Sequence, residues 1–176
     1  MRTGAQTTES GRQTGAPSSV FCPLSSDRRE AVIEEARSWI GTPYHHMGRV
    51  KGVAVDCLTF LAEVYERAGV IPHVEVPFYP PDWFMHRDEE RYVEGVLRYA
   101  REIAGGGREA KEYAGDVPAL PGDIAIFRFG RCFAHGGIIT DWPLLIHAFQ
   151  YTGVVPFSAQ GGLLRGRKVR FFTPFA

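Results

Sequence analysis

In the stretch GVAVDCLTFLAEVY, residues 52–65, a lone cysteine follows an aspartate at the head of an apolar stripe with helical spacing. A helix opening near Asp56 would turn its free N–H groups and the positive end of its dipole toward Cys57, which favours thiolate over thiol. That position makes Cys57 a candidate nucleophile, whereas a cysteine in mid-stripe would be an ordinary core residue. A thiol nucleophile needs a base within hydrogen-bond reach, and the base needs a polar group to fix its ring and tautomer. His135 opening HGGIIT and His147 within LLIHAF offer both. With Asp141, Trp142 and Pro143 as the turn, Thr140 pairs with Leu144, Gly137 lies opposite His147, and His135 is its diagonal neighbour on the same face. Diagonal neighbours stand about 7–8 Å apart, so two imidazoles can meet. A catalytic zinc held by Cys57, His135 and His147 is the rival chemistry, since three N and S ligands plus water form an accepted set. The dyad is preferred, because a cysteine at a helix start already has a sufficient reason to be there.

Other polar residues have plainer readings. His45 and His46 adjoin in a loop, where neighbouring side chains rarely share a metal, so His46 is read as a cleft-wall or solvated residue and no metal site is assigned. Asp56 caps the helix it precedes and can stand in the same wall. Asp123 in PGD fixes a turn, and Cys132 is a packed thiol. Tyr79, Trp83 and Phe84 line a groove or pin a Pro-rich segment to the core.

The elements that must hold these residues are legible in part. Asp27 and Glu30 have capping-box spacing before a helical stripe of Ala31, Val32, Ala36, Trp39 and Ile40, which Gly41 and Pro43 stop. Cys57, Leu61, Val64, Tyr65 and Ala68 define a second helix ended by Gly69. After the Pro-rich IPHVEVPFYPPDW, the run DEERYVEGVLRYAREIA is expected to form a third helix closed by Gly105, Gly106 and Gly107. Strands are expected at 123–129, 135–140, 144–149 and 168–173. Helices followed by antiparallel strands make an α+β domain, with N-terminal helices packed on a central antiparallel sheet.

Twenty Lys plus Arg balance twenty Asp plus Glu, so the charge calls for neither nucleic acid nor an anionic membrane surface. The three cysteines, Cys22, Cys57 and Cys132, have no CxxC spacing and suit synthesis in a reducing compartment. Residues 1–25, rich in Gly, Ser, Thr and Gln, are expected to be a disordered tail without a secretion signal, ahead of one domain over 26–176. No segment is apolar for long enough to insert in a membrane as a helix.

The segments WIGTPYHHMG, DCLTFLAEVY, LPGDIAIFRF with AHGGIIT, and LLIHAF succeed one another as the motifs of the NlpC-type cell-wall peptidases do. Over roughly residues 28–150 the chain resembles that papain-like cysteine peptidase family. An insertion at about 70–120 is similar to that of its phage-tail and gene-transfer-agent branch. The resemblance implies a papain-like fold, no cofactor, Cys57 as nucleophile, His135 as base and His147 as its orienting group. Tyr44 and the Cys57 amide would hold the reacting carbonyl. The substrate implied is the peptide stem of bacterial peptidoglycan, at a bond following D-glutamate. With no secretion signal, delivery would fall to a phage or phage-like tail tip, whose proteins are the implied partners and which acts in the periplasm or cell wall. The chain departs from the family's usual DCSG and HVGIY, reading DCLT and HGGII, so that Leu58 and Thr59 crowd the nucleophile and Gly136 leaves the His135 ring without apolar backing. These departures motivate an alternative, a structural tail-tip subunit of the same fold with little or no activity. Acyl transfer by the same dyad is a third option.

Overall fold

In the computed structural model, which describes residues 1, 23–104, 108–113 and 117–175, the first helix, α1, spans Pro23–Ser38. It starts upstream of the expected cap because Pro23 suits a first helical turn, so Asp27 and Glu30 lie inside the helix. Of the tail expected over 1–25, residues 2–22, Cys22 among them, lie outside the described residues, as do Gly105, Gly106 and Gly107. From α1 and the turn after it, Val32, Ala36 and Trp39 enter the core. A small hairpin, β1 (Arg49–Val50) with β2 (Ala54–Val55), then leads into α2 (Cys57–Arg67).

The start of α2 is set by Asp56, whose side chain is 1% exposed. Its Oδ1 accepts from the Leu58 and Thr59 amides at 3.1 and 2.9 Å, and the Thr59 hydroxyl accepts from the Asp56 amide at 3.0 Å, completing a capping box. Its Oδ2 accepts from the Met47 amide at 2.7 Å, holding a non-glycine residue at φ 56°, and from the Tyr79 hydroxyl. One carboxylate thus joins the helix, the preceding loop and the insertion.

The segment expected to be an insertion, about 70–120, contains α3 (Trp83–His86), α4 (Arg91–Leu97) and a strand, β3 (Arg101–Ala104). The third helix expected over 88–104 is therefore cut short. Its last residues add instead to the edge of β8 (Val169–Thr173), where the sheet supplies backbone partners and Arg170 makes a two-pronged ion pair with Glu102 at 2.8 and 2.6 Å. Arg49 ties the Pro-rich stretch to α2, bonding Glu63 and the Val74 carbonyl, each at 2.6 Å, as well as Glu66.

The remaining strands are β4 (Ile124–Phe129), β5 (Cys132–Asp141), β6 (Leu144–Phe149) and β7 (Gly153–Ser158). Six strands form one antiparallel sheet in the order β3-β8-β4-β5-β6-β7, giving the α+β class expected. Along β4, Ile124 and Ile126 meet the helices while Ala125 and Phe127 join a second cluster, so a sheet covered on both sides explains an almost uninterrupted apolar run. Strand β7 escapes sequence reading because Pro156 interrupts it; as an edge strand it tolerates the missing donor. At the β5–β6 turn Asp141, not Thr140, faces Leu144, a bulge that tightens the loop to Trp142 and Pro143. Inward of it, Ile138 faces Ile146 and Ile139 faces Leu145, the register that sets Gly137 beside His147.

Because Asp56 serves two chain segments besides its own helix, Asp56→Ala removes a cap and strands buried donors. We expect a loss of about 2–4 kcal/mol, read from urea unfolding, against about 1 kcal/mol for an ordinary cap deletion.

Candidate active site

Cys57 occupies the first turn of α2, where backbone N–H groups have no intrahelical acceptor. Its side chain is half-buried and opens into a cleft of about 450 Å³. The sulfur lies against the main chain on both sides of His135: the thiol approaches the Ala134 carbonyl at 4.0 Å, and the Gly136 amide faces the sulfur. His135 lines the same cleft. It lies inside β5 rather than opening it, since the strand begins three residues earlier at Cys132.

The two histidines meet as their register requires. His135 Nε2 and His147 Nδ1 are 2.7 Å apart, with the rings edge to face at 77°. That contact leaves Nδ1 of His135 as the ring nitrogen able to take a proton from the thiol. For it to do so, Nε2 must carry hydrogen and donate to His147 Nδ1, which puts the His147 proton on Nε2. Phe149 and Phe157 flank the His147 ring at 5.7 and 5.2 Å, and Phe129 and Phe149 flank His135 at 5.2 and 5.4 Å. His135 Nε2 and His147 Nδ1 pair with each other instead of converging with the Cys57 sulfur, and among the described residues no group of three His, Cys, Asp or Glu side chains is placed to hold a metal ion.

Burial decides the charge state. His135 is 6% and His147 2% exposed. Desolvation holds His135 well below the usual imidazole range, with smaller contributions from His147 and Arg167, and lowers His147 to about 4. Desolvation also pushes the Cys57 thiol up to about 12, reinforced by the Asp56 charge and only partly opposed by the Gly136 amide and the Tyr92 hydroxyl. This reverses the expectation of a depressed thiol: the helix start is present, but a neighbouring carboxylate and loss of water outweigh it. Cys57 and His135 rest as a neutral pair, and among the described residues no hydrogen bond joins them.

The surrounding wall contains the other residues read from the sequence. Tyr44 lines the cleft, and burial raises its hydroxyl pKa, with Cys57 and Asp56 adding to the shift. His46 and Asp56 also line it; His46 Nε2 meets the Tyr79 carbonyl at 2.7 Å, and its Nδ1 is 3.5 Å from Asp56 Oδ2. Tyr79, Trp83 and Phe84 border the cleft as well as pinning the insertion. Thr59, expected to crowd the nucleophile, instead points inward and donates to the Gly48 carbonyl at 2.6 Å, so only Leu58 reaches the cleft. Asp123 fixes its turn through the Leu120 amide at 2.8 Å and pairs with Arg29 at 2.9 Å. Cys132 is buried with its thiol 3.0 Å from the Arg87 carbonyl.

Tyr92 was not legible as a site residue. It lies on α4, 3% exposed, and its hydroxyl donates to the Cys57 carbonyl at 3.0 Å. A Cβ placed on Gly136 would stand 2.4 Å from that hydroxyl oxygen. The space left by Gly136 is thus filled from the insertion. The tyrosine's helical position alone marks it as a core residue, and nothing in its spacing relates it to Cys57.

No family model matches the sequence, and no curated protein matches it. Solved structures share its architecture at low identity. The NlpC/p60 domain of the peptidoglycan hydrolase SagA aligns over 81% of this chain and 96% of its own, at 20% identity and a TM-score of 0.50. A P60 domain of an antigen from M. avium subspecies paratuberculosis aligns over 87% and 98%, at 16% identity and 0.51. A protein of the NLP/P60 family from Staphylococcus aureus, similar to a lipoprotein, aligns over 82% of this chain but 41% of its own, at 17% identity and 0.52. The chain therefore spans nearly all of the two isolated domains and about two fifths of the staphylococcal protein. Its fold is that of the NlpC/p60 domains.

Proposed function

We propose that this protein is a cysteine peptidase that hydrolyses the peptide stem of bacterial peptidoglycan. The observation that carries the proposal is the 2.7 Å His135–His147 contact beside a cysteine at the start of a helix in one cleft. The NlpC/p60 fold, shared with a domain of a peptidoglycan hydrolase, supports the choice of substrate.

Because the pair is neutral at rest, proton transfer accompanies attack instead of preceding it. The thiol leaves the Ala134 carbonyl and turns to His135 Nδ1, which takes its proton as the sulfur bonds to the amide carbon. The carbonyl electrons move to oxygen, which the Cys57 amide and the Tyr44 hydroxyl receive. Collapse breaks the C–N bond, and His135 gives its proton to the leaving amine. His135 then deprotonates a water that attacks the thioester, and the thiolate departs and is reprotonated. His147 fixes the ring throughout.

We further propose that cleavage follows D-glutamate and that the enzyme is carried by a phage-like tail tip, acting in the periplasm or cell wall. The likeness of the 70–120 insertion to that branch supports this, and recovery of the protein in purified particles tests it. A structural subunit without activity is the second reading, favoured by the raised thiol and its contact with the Ala134 carbonyl.

On purified stem peptides, with products read by mass spectrometry, Cys57→Ala should abolish hydrolysis and His135→Ala should lower it by about 10²–10⁴-fold. His147→Asn should retain more activity than His147→Ala, since an amide can also orient the ring. Wild-type protein that leaves every stem peptide intact would favour the structural subunit. For an active enzyme, kcat/KM should rise with pH along a limb well below 6.5, where His135 loses its proton, and stay level through neutral pH toward the thiol's raised range. An acid limb centred near pH 7 would contradict the neutral pair.

Stability should follow the same histidines. Their folded values lie below the unfolded one, so the contribution is complete above about pH 6.5 and is lost as pH falls toward 4. For His147 alone this is on the order of 2–4 kcal/mol. Unfolding midpoints of wild type and His147→Gln should converge between pH 6.5 and 4.

A further inference from the structure

We propose that Tyr92 is a positioning residue for Cys57, and that Gly136 is glycine because the Tyr92 hydroxyl occupies the place of a side chain there. The proposal rests on the peptidase reading of the same site. It assigns the insertion a part in the chemistry beyond walling the cleft.

Two measurements meet at one atom. The Tyr92 hydroxyl oxygen is 3.0 Å from the Cys57 carbonyl, to which it donates, and 2.4 Å from where a Gly136 Cβ would stand. No real Cβ tolerates the second distance. The tyrosine cannot swing away cheaply, because α4 buries it with Val93 and Val96 among the helices and the sheet. A Gly136 Cβ would also meet the Tyr92 ring carbon Cζ at 3.0 Å and Leu61 Cδ1 at 2.9 Å, the latter the end of a flexible side chain. The conflict that matters is therefore with the tyrosine, and small size at 136 is a condition for the tyrosine's presence.

The hydroxyl has one hydrogen and two directions in which to use it. At rest it donates to the Cys57 carbonyl, fixing the first turn of α2 and so the sulfur's starting point. The same hydroxyl lowers the thiol's pKa against the burial that raises it, as a donor beside a growing thiolate does. As negative charge grows on the sulfur, rotation of the O–H bond moves the hydrogen from carbonyl to sulfur, while the Gly136 amide already faces it. No bond other than the hydrogen bond is exchanged. Tyr79 does not duplicate this role, since its hydroxyl is committed to Asp56.

The test uses Tyr92→Phe, Gly136→Ala and their double variant in the full chain. The first readout needs no substrate: the rate of iodoacetamide alkylation of Cys57 between pH 7 and 10, separated from Cys22 and Cys132 by peptide mass spectrometry. Tyr92→Phe should slow alkylation about 3- to 10-fold at every pH, because the thiolate fraction falls uniformly when its donor is lost. On stem peptides the same variant should lower kcat by a similar factor and leave KM unchanged. Gly136→Ala should lose alkylation and activity by at least 10-fold, and removing the hydroxyl in the double variant should recover part of that loss, since the contacts with Leu61 Cδ1 at 2.9 Å and the ring carbon Cζ at 3.0 Å remain. Unchanged alkylation in Tyr92→Phe would overturn the proposal, even with a lowered melting temperature, as would losses in the two single variants that simply multiply. If wild type cleaves no peptidoglycan while alkylation responds as expected, the peptidase reading fails and the placement of Tyr92 stands.

Discussion

The buried carboxylate of Asp56 is the constraint on which the rest of this site depends. It accepts hydrogen bonds from two amides of α2, from the Met47 amide in the preceding loop, and from the Tyr79 hydroxyl in the insertion. A carboxylate so placed must be fully partnered, because a buried charge short of hydrogen bonds costs several kcal/mol. Its partners are accordingly locked, and with them the start of α2, the loop bearing Tyr44 and His46, and the wall of the cleft. The same charge stands next to the nucleophile and opposes thiolate formation. Structural order at the site and a protonated resting thiol have one cause.

Burial acts in the same direction on the base. Aromatic rings surround His135 and His147, and Arg167, packed 3.6 Å above the Phe129 ring, adds positive charge behind them. A dry pair of imidazoles stays neutral at the pH where a solvated pair would be partly charged. The geometry therefore suits a neutral imidazole pair beside a neutral thiol. The Gly136 amide and the Tyr92 hydroxyl oppose part of the thiol's raised pKa, and the Tyr92 hydroxyl donates to the Cys57 carbonyl at 3.0 Å.

The segment of residues 70–104 is tied to the rest of the fold by directed polar contacts as well as by apolar packing. Arg49 joins it to Glu63 and Glu66 of α2, Tyr79 to Asp56, Tyr92 to Cys57, and β3 to the edge of the sheet with Glu102 gripping Arg170. The same segment, through Ile71, Val74, Tyr79, Tyr92 and Ala100, makes one wall of the cleft. Two residues that the sequence marks as disturbing the site are accommodated by the packing. Thr59 serves the cap that a smaller residue could not complete in the same way, and Gly136 makes room for Tyr92.

What the sequence determined by itself is what local rules encode. The helix beginning at Cys57, its aspartate cap, the strands bearing His135 and His147, and the register that joins those residues follow from period, turn chemistry and alternation, which involve neighbours in the chain. Where a distant partner competes with a local preference, the sequence misleads: residues 101–104 continue a helical pattern yet become a strand because an open sheet edge offers them hydrogen bonds, and Pro156 hides a strand that only its edge position permits. The charge state of Cys57 was out of reach for the same reason. A helix start favours thiolate, and only the packing of α4, the sheet and Tyr79 around it decides how much water remains. Tyr92 and Gly136 lie 44 residues apart in sequence, and their exclusion of each other exists only once tertiary packing brings them together.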